Sequence, residues 1–377
     1  ADLTARVAGG LSAHGFGRGS TLAVMLPNLP EYFLAFHGAA MAGGTVTTIN
    51  PTYGPSEVQH QLVDSGASSL VTIPMFVDTA REAIAGTNVE TIWVIGDAPD
   101  GTVPFSDLMS AEPLAEQADV DVEEDVIVLP YSSGTTGLPK GVMLTHFNLV
   151  ANIVQTEPAL EVNAGEERVI AVLPFFHIYG MQVLMNAVIA RGGTVVTMPR
   201  FDLEEFLTLV QDQKITIAYL VPPIVLALAK HPMVDQFDHS SLRLVFSGAA
   251  PLGAEVALEA AARVGCDVVQ GYGMTELSPV THATPMGEFK PGSIGLTISN
   301  TEVRVVDPAT GEDLGIDEDG ELWIRGPQVM KGYLNNPAAT AYTIDEEGWL
   351  HTGDIGHVDP DGHFYIVDRL KELIKYK

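Results

Sequence analysis

Apolar positions along the first 120 residues switch repeatedly between helical and strand spacing. Leu3–His14 carries its apolar residues on one helical face and predicts a helix, while Thr21–Leu26 is a short apolar run that predicts a strand. The same alternation predicts helices over Pro30–Ala42, Glu57–Ser65 and Val77–Ala85, and strands over Thr45–Thr48, Ser69–Ile73 and Thr91–Ile95. Strands that return after each helix imply a parallel sheet covered by helices. An acidic stretch, DVDVEEDV (119–126), reads as a solvated connector.

From 126 to about 285 the alternation resumes with RVIAVLPFFHIYGM, and strands follow in TVVTMP, ITIAYLVP, LRLVFSG and VVQGYG. Helices lie between them, the first running to Ala190. Beyond 290 the chain turns to short strands separated by Gly, Asp and Pro: EVRVVD, GELWIRG, GWLHTGD and GHFYIVD. The expected fold is α/β: two packed α/β layers with mostly parallel sheets, plus a C-terminal β-barrel-like subdomain. The expected divisions are 1–120, 121–288 with the Gly/Ser/Thr-rich loop described below, and 289–367.

Composition narrows the class. With 377 residues, 46% hydrophobic and 18% charged, the chain is globular and long enough for several cores. A net charge of −29 argues against a nucleic-acid binder and leaves any bound nucleotide to be held by local donors. The single cysteine, Cys266, excludes an intramolecular disulfide framework, reads as a small buried apolar residue, and fits a reducing, cytoplasmic setting. No apolar run is long enough to span a membrane; the best, Ile215–Ala229, is broken by Pro222 and Pro223. No signal peptide is legible, and both ends read as cut.

The chemistry concentrates in a few loops. YSSGTTGLPKG (131–141) gathers small residues, hydroxyls and one lysine, the means of cradling phosphate. It is not a Walker A loop, because Pro139 precedes Lys140 and Gly141 follows it. Apolar runs at Val126–Leu129 and Val142–Thr145 flank it, and a helix opens at His146, so the loop is expected to join strand to strand as a flap.

QGYGMTE (270–276) sets Tyr272 between two glycines, where its ring can stack on a purine. Beside it Thr275 can donate to phosphate and Glu276 can hold Mg²⁺. SGAAPLG (247–253) ends a strand in small residues, which form either a cleft wall or a close helix packing. HTGD (351–354) ends in a carboxylate suited to the two ribose hydroxyls, or to a solvated turn. DRLKELIKYK (368–377) clusters positive charge, for a nucleotide or for solvent. PFFHIYG (174–180) places His177 among aromatic residues, as a core histidine or a pocket gate.

In this order the motifs resemble the adenylate-forming superfamily of acyl-CoA synthetases, luciferases and peptide-synthetase adenylation domains. PFFHIYG, SGAAPLG and the ending VDRLKELIKYK are most similar to 4-coumarate–CoA ligase-like enzymes. The resemblance implies two half-reactions: a carboxylic acid and ATP give acyl-AMP and pyrophosphate, then coenzyme A displaces AMP. It implies that Ser132, Ser133, Gly134, Thr135, Thr136 and Lys140 hold the β- and γ-phosphates. Thr275 would touch the α-phosphate, Glu276 bind Mg²⁺, and Gly271 and Tyr272 receive adenine. Asp354 and Arg369 would take the ribose.

By the same resemblance Lys140, His177, Thr275 and Glu276 are the catalytic set, with His177 at the acyl carboxylate and the thiol route. Tyr179, Val183, Phe246, Ala249, Gly271 and Ala283 would line the acyl site, Arg200 and Lys377 would meet CoA, and Lys371 would be a hinge in 368–377. Val183 and Phe246 are apolar where plant ligases for hydroxylated aryl acids carry polar residues, and Ala283 is smaller than its counterpart. This favours cinnamate or an aliphatic acid over hydroxylated cinnamates.

The family's C-terminal lysine-bearing domain does not follow Lys377, so this stretch is expected to bind nucleotide and acid but to turn over poorly. The competing readings are a medium- or long-chain fatty acyl-CoA ligase and a non-catalytic nucleotide-binding relative. Intact Lys140, Glu276 and Asp354 count against the last, and the absence of a His-His-Gly-Phe stretch counts against luciferase.

Overall fold

The computed structural model describes residues 1–132, 139–160 and 163–370. The chain divides into two compact units: Ala1–Phe147 with Pro174–Met181 and Met330–Pro337, and Asn148–Leu173 with Gln182–Val329 and Ala338–Lys377.

The first unit is built on an eight-stranded sheet. Its parallel part sets Thr21–Val24 between Thr45–Thr48 and Ser69–Thr72, with Thr91–Val94 beyond. These strands are apolar almost throughout because both faces are covered, so their sequences read as runs without alternation. The helices fall at Asp2–Ala13, Pro30–Met41, Pro55–Ser65 and Val77–Ala83, as their periodicity predicts.

Local chemistry sets the helix ends. Pro55 opens its helix, the Glu57 carboxylate accepts the Gly54 N–H at 2.9 Å, and Gly66 closes it at φ 65°. Met25, Ile49, Val58, Leu62 and Leu70 share the core beneath.

On the other side of the sheet Val126–Ser132 pairs parallel to Thr45–Thr48, then antiparallel to Lys140–Thr145. Gly332–Tyr333 adds antiparallel to Lys140–Thr145.

The second unit holds a seven-stranded sheet and a four-stranded antiparallel one. In the larger sheet Ile217–Leu220, Leu244–Ser247 and Asp267–Gly273 run parallel, and Val280–Ala283 turns back antiparallel to the last of these. The four-stranded sheet orders Glu302–Val306, Gly320–Arg325, Leu350–Val358 and Phe364–Arg369, and is the form taken by the β-rich C-terminal part.

The expected helix ending at Ala190 is wound with wide i→i+5 turns over Tyr179–Ala187 before it becomes α-helical at Val188–Ala190. Such turns are uncommon and concentrate at functional sites.

The helix His146–Leu160 turns a polar face inward. Asn152 donates to Val280 O at 2.8 Å and accepts Val280 N–H at 3.2 Å, and Gln155 donates to Ser299 O at 2.9 Å. This clamps the start of the strand that follows the Glu276 turn. Cys266 is half-buried, and burial, helped by Asp267, pushes its thiol up to about 12. Among the described residues no helix is long and apolar enough to cross a membrane.

Candidate active site

The base of the Gly/Ser/Thr-rich loop lies in the first unit. Ser132 stands opposite Lys140 and Tyr131 opposite Gly141 in an antiparallel pair, so the loop does join strand to strand. Ser133, Gly134, Thr135 and Thr136 lie outside the described residues. Lys140 Nζ sits 4.1 Å from the centroid of the Tyr333 ring, a cation–π contact that aims the ammonium.

On the neighbouring strand the Tyr131 hydroxyl donates to Asp64 at 2.7 Å, and Asn335 Nδ2 donates to the same carboxylate at 3.2 Å. Burial first, and Asp64 second, raise the Tyr131 pKa far above the phenol range, so it stays a donor. A side chain at Gly141 would stand 3.1 Å from the Tyr131 ring and 3.3 Å from Leu334 Cβ, which is why the lysine is followed by glycine. Sequence reading missed Asp64, Tyr333 and Asn335: Tyr333 reaches Lys140 through strand pairing, and Asp64, on the helix Pro55–Ser65, meets Tyr131 and Asn335 only in the folded chain.

His177 also belongs to this unit. It is an exposed residue and lines a recess with Thr48, Asn50, Tyr53, Gln61, Tyr131 and Phe176. The surrounding protein lowers its pKa, so the imidazole is neutral at pH 7. Two bonds fix the segment: Thr48 Oγ1 donates to Phe176 O and Asn28 Oδ1 accepts from Phe175 N, both at 2.8 Å. Tyr179 opens the wide-turned segment that carries Val183.

In the second unit the structure brings Tyr272, Asp354 and Arg369 together. The Tyr272 hydroxyl donates to Asp354 Oδ2 at 2.5 Å, and Arg369 Nε pairs with Asp354 Oδ1 at 3.2 Å. Burial raises the Asp354 pKa above the ordinary aspartate value, opposed by Tyr272 and Arg369. Burial raises the Tyr272 phenol as well. Behind Tyr272 lies the His282 ring, 5.8 Å away and wholly buried, with its pKa depressed to about 3 by burial.

The glycines flanking Tyr272 have packing reasons of their own. A Cβ at Gly271 would meet Phe246 Cζ at 2.3 Å, and one at Gly273 would meet Pro279 O at 2.0 Å. Thr275–Leu277 forms a single tight turn that buries Glu276, and a cis Ser278–Pro279 bond follows.

Of the expected acyl-site residues, Phe246, Gly271 and Ala283 meet: the Phe246 ring lies against Gly271, and Gly271 is paired with Ala283. Val183 is buried, and Ala249 is exposed with φ at 69° in the SGAAPLG turn. Tyr179 lies in the other unit. Arg200 is exposed beyond the strand Thr194–Thr197. Lys371 and Lys377 lie outside the described residues.

Among the described residues no three potential metal ligands cluster. Mg²⁺ bound together with phosphates needs only one or two carboxylates, and Glu276 fits that requirement.

The structure thus sets a Gly/Ser/Thr-rich stretch between two paired strands in one α/β unit and a Tyr–Asp–Arg cluster in the other. The sequence model of AMP-binding enzymes matches residues 1–334, and the chain belongs to this family. It is 47% identical to 4-coumarate–CoA ligase 1 of Petroselinum crispum, over the whole chain and 70% of that protein.

Among solved structures it resembles a long-chain fatty-acid–CoA ligase from Archaeoglobus fulgidus, at 30% identity and a TM-score of 0.90, over 98% of this chain and 76% of that one. It also resembles an anthranilate–CoA ligase in complex with anthranoyl-AMP, at 27% identity and a TM-score of 0.92, over 99% and 73%.

Proposed function

We propose that this AMP-forming acid–CoA ligase activates an aryl acid of the cinnamate type. The observation that carries the reading is the 47% identity to a 4-coumarate–CoA ligase across the whole chain. The apolar Phe246 against Gly271 and Ala283 supports a flat, unhydroxylated ring.

In this reading the acid's carboxylate attacks the α-phosphorus of ATP, the bond to the β-phosphate oxygen breaks, and pyrophosphate leaves. The CoA thiolate then attacks the acyl carbon and AMP leaves. Catalysis of the first step is positioning and charge neutralisation. Ser132, Ser133, Gly134, Thr135, Thr136 and Lys140 would hold the leaving pyrophosphate, and Thr275 the α-phosphate. Mg²⁺ at Glu276 would neutralise phosphate charge. Tyr272 and Gly271 would receive adenine, while Asp354 and Arg369 hold the ribose. His177, neutral at pH 7, would border the acyl carboxylate without adding charge there. Arg200, Lys377 and the hinge at Lys371 extend the proposal to CoA and to domain movement.

Calorimetric titration with cinnamoyl and octanoyl sulfamoyl adenosine tests the substrate class. Tighter cinnamoyl binding is expected; tighter octanoyl binding would make the protein a fatty-acid ligase.

A pH dependence follows from Asp354. Its carboxylate must be ionised to accept the ribose hydroxyls, and its pKa is raised by burial. Adenosine affinity is therefore expected to fall as pH drops through a range above that of an ordinary aspartate, and Asp354→Asn should flatten the profile. For folding the sign is opposite. A raised carboxylate pKa adds stability in acid that is lost as pH rises through the folded-state value. Affinity unchanged down to pH 4 would contradict the role given to Asp354.

A further inference from the structure

The HTGD stretch sits on a bulge. Glu321 pairs with Ile355 and Trp323 with His351, so Thr352, Gly353 and Asp354 oppose the single residue Leu322. Bulges re-aim side chains, but they strip the extra residues of ladder partners. Here side chains replace the ladder. Glu321 Oε1 accepts the Gly353 N–H at 2.9 Å, and the Thr352 hydroxyl donates to Leu322 O at 2.7 Å. The other Glu321 oxygen accepts Trp323 Nε1–H at 2.9 Å.

Glu321 is only 7% exposed. Burying a carboxylate is costly, and neutral donors offset that cost only in part. A charged acceptor gives stronger and more directional bonds, which suits a part that must be held still. Gly353 adopts φ 73°, and its carbonyl accepts Leu370 N–H at 2.8 Å, so the bulge is gripped from both sides.

We infer that Glu321 is a positioning residue for the nucleotide: its carboxylate fixes the bulge that aims Asp354 at the ribose hydroxyls. This rests on the reading of Asp354 as the ribose-binding carboxylate, and it gives a task to a residue in GELWIRG that otherwise reads as plain strand. Burial chiefly, with the Glu321 charge contributing, raises the Asp354 pKa, so removing that charge has a second readout.

The test titrates adenosine and 2′,3′-dideoxyadenosine into the wild-type chain and the variants Glu321→Ala, Glu321→Gln and Asp354→Ala. Glu321→Ala is expected to weaken adenosine about tenfold, the size of one charge-assisted bond, and to change the dideoxy analogue less than twofold. Glu321→Gln should lose less, because its carbonyl can still accept from Gly353 while its amide opposes the Trp323 N–H. It should also move the adenosine pH profile to lower pH. If Glu321→Ala does not fold, the glutamine variant decides.

Equal weakening of both ligands, or of neither, while Asp354→Ala discriminates between them overturns the inference and leaves the site reading intact. If Asp354→Ala itself fails to discriminate, the ribose assignment falls and the inference with it.

Discussion

Gly273→Ala is expected to lower stability by about 3 kcal/mol, the upper end for an overpacked site, and to abolish nucleotide binding. The added Cβ would lie 2.0 Å from Pro279 O and 2.7 Å from Pro279 C. Both are backbone atoms immediately before the returning strand, and Pro279 O already accepts Met274 N–H at 3.1 Å. Nothing there can rotate away, so the strands must part. The turn they close carries Thr275 and Glu276, and the strand before it carries Tyr272.

Gly271→Ala makes a useful comparison. Its closest clash, at 2.3 Å, is with the Phe246 ring, although His282 O at 2.8 Å limits how far relief can go. Urea unfolding should rank wild type above Gly271→Ala above Gly273→Ala. A wild-type midpoint for Gly273→Ala would show that the hairpin does not close as described.

Lys140→Met should slow acid-dependent pyrophosphate release about a hundredfold, the loss typical when one charge-stabilising donor is removed from a reacting group. AMP affinity should stay within twofold of wild type. The asymmetry follows from placement: Lys140 leaves the loop at the end proposed to hold the leaving pyrophosphate, while the adenosine contacts proposed here lie on other segments. Its cation–π contact with Tyr333 is a modest hold, about 1 kcal/mol, which a phosphate can displace. An equal loss of AMP affinity would sink the division of labour between the two sets of residues.

Much of this was legible in the chain. Pro139 and Gly141 around Lys140 excluded a strand-to-helix phosphate loop, and the pairing of Ser132 with Lys140 agrees. Alternating helical and strand periods located the elements of the first unit because buried parallel strands are short and continuously apolar.

The helix His146–Leu160 was legible only in outline. Its buried residues include Asn148, Asn152, Gln155 and Thr156 beside Leu149 and Leu160, while Val150 and Val154 are about 60% exposed, a mixture that apolar periodicity does not imply. Backbone groups of distant segments, at Val280, Ser299, Pro327 and Val329, supply partners for that polar face, and no local pattern announces them. For the same reason Asp64, Tyr333, Asn335 and Glu321 escaped notice. Each acts on a residue brought to it by helix-on-sheet packing or strand pairing, not by sequence proximity. The glycines around Tyr272 were noticed, but not their packing against Phe246 and Pro279, which lie apart from them in sequence.

Quenched single-turnover mixing with α-³²P-labelled ATP, Mg²⁺ and cinnamate tests the central claim most directly. The label identifies which phosphorus is attacked. Label in an acid-dependent cinnamoyl-AMP is the result predicted here. Label in ADP, with the acid carrying the γ-phosphate, would contradict attack at the α-phosphorus and the assignment of every nucleotide contact that rests on it.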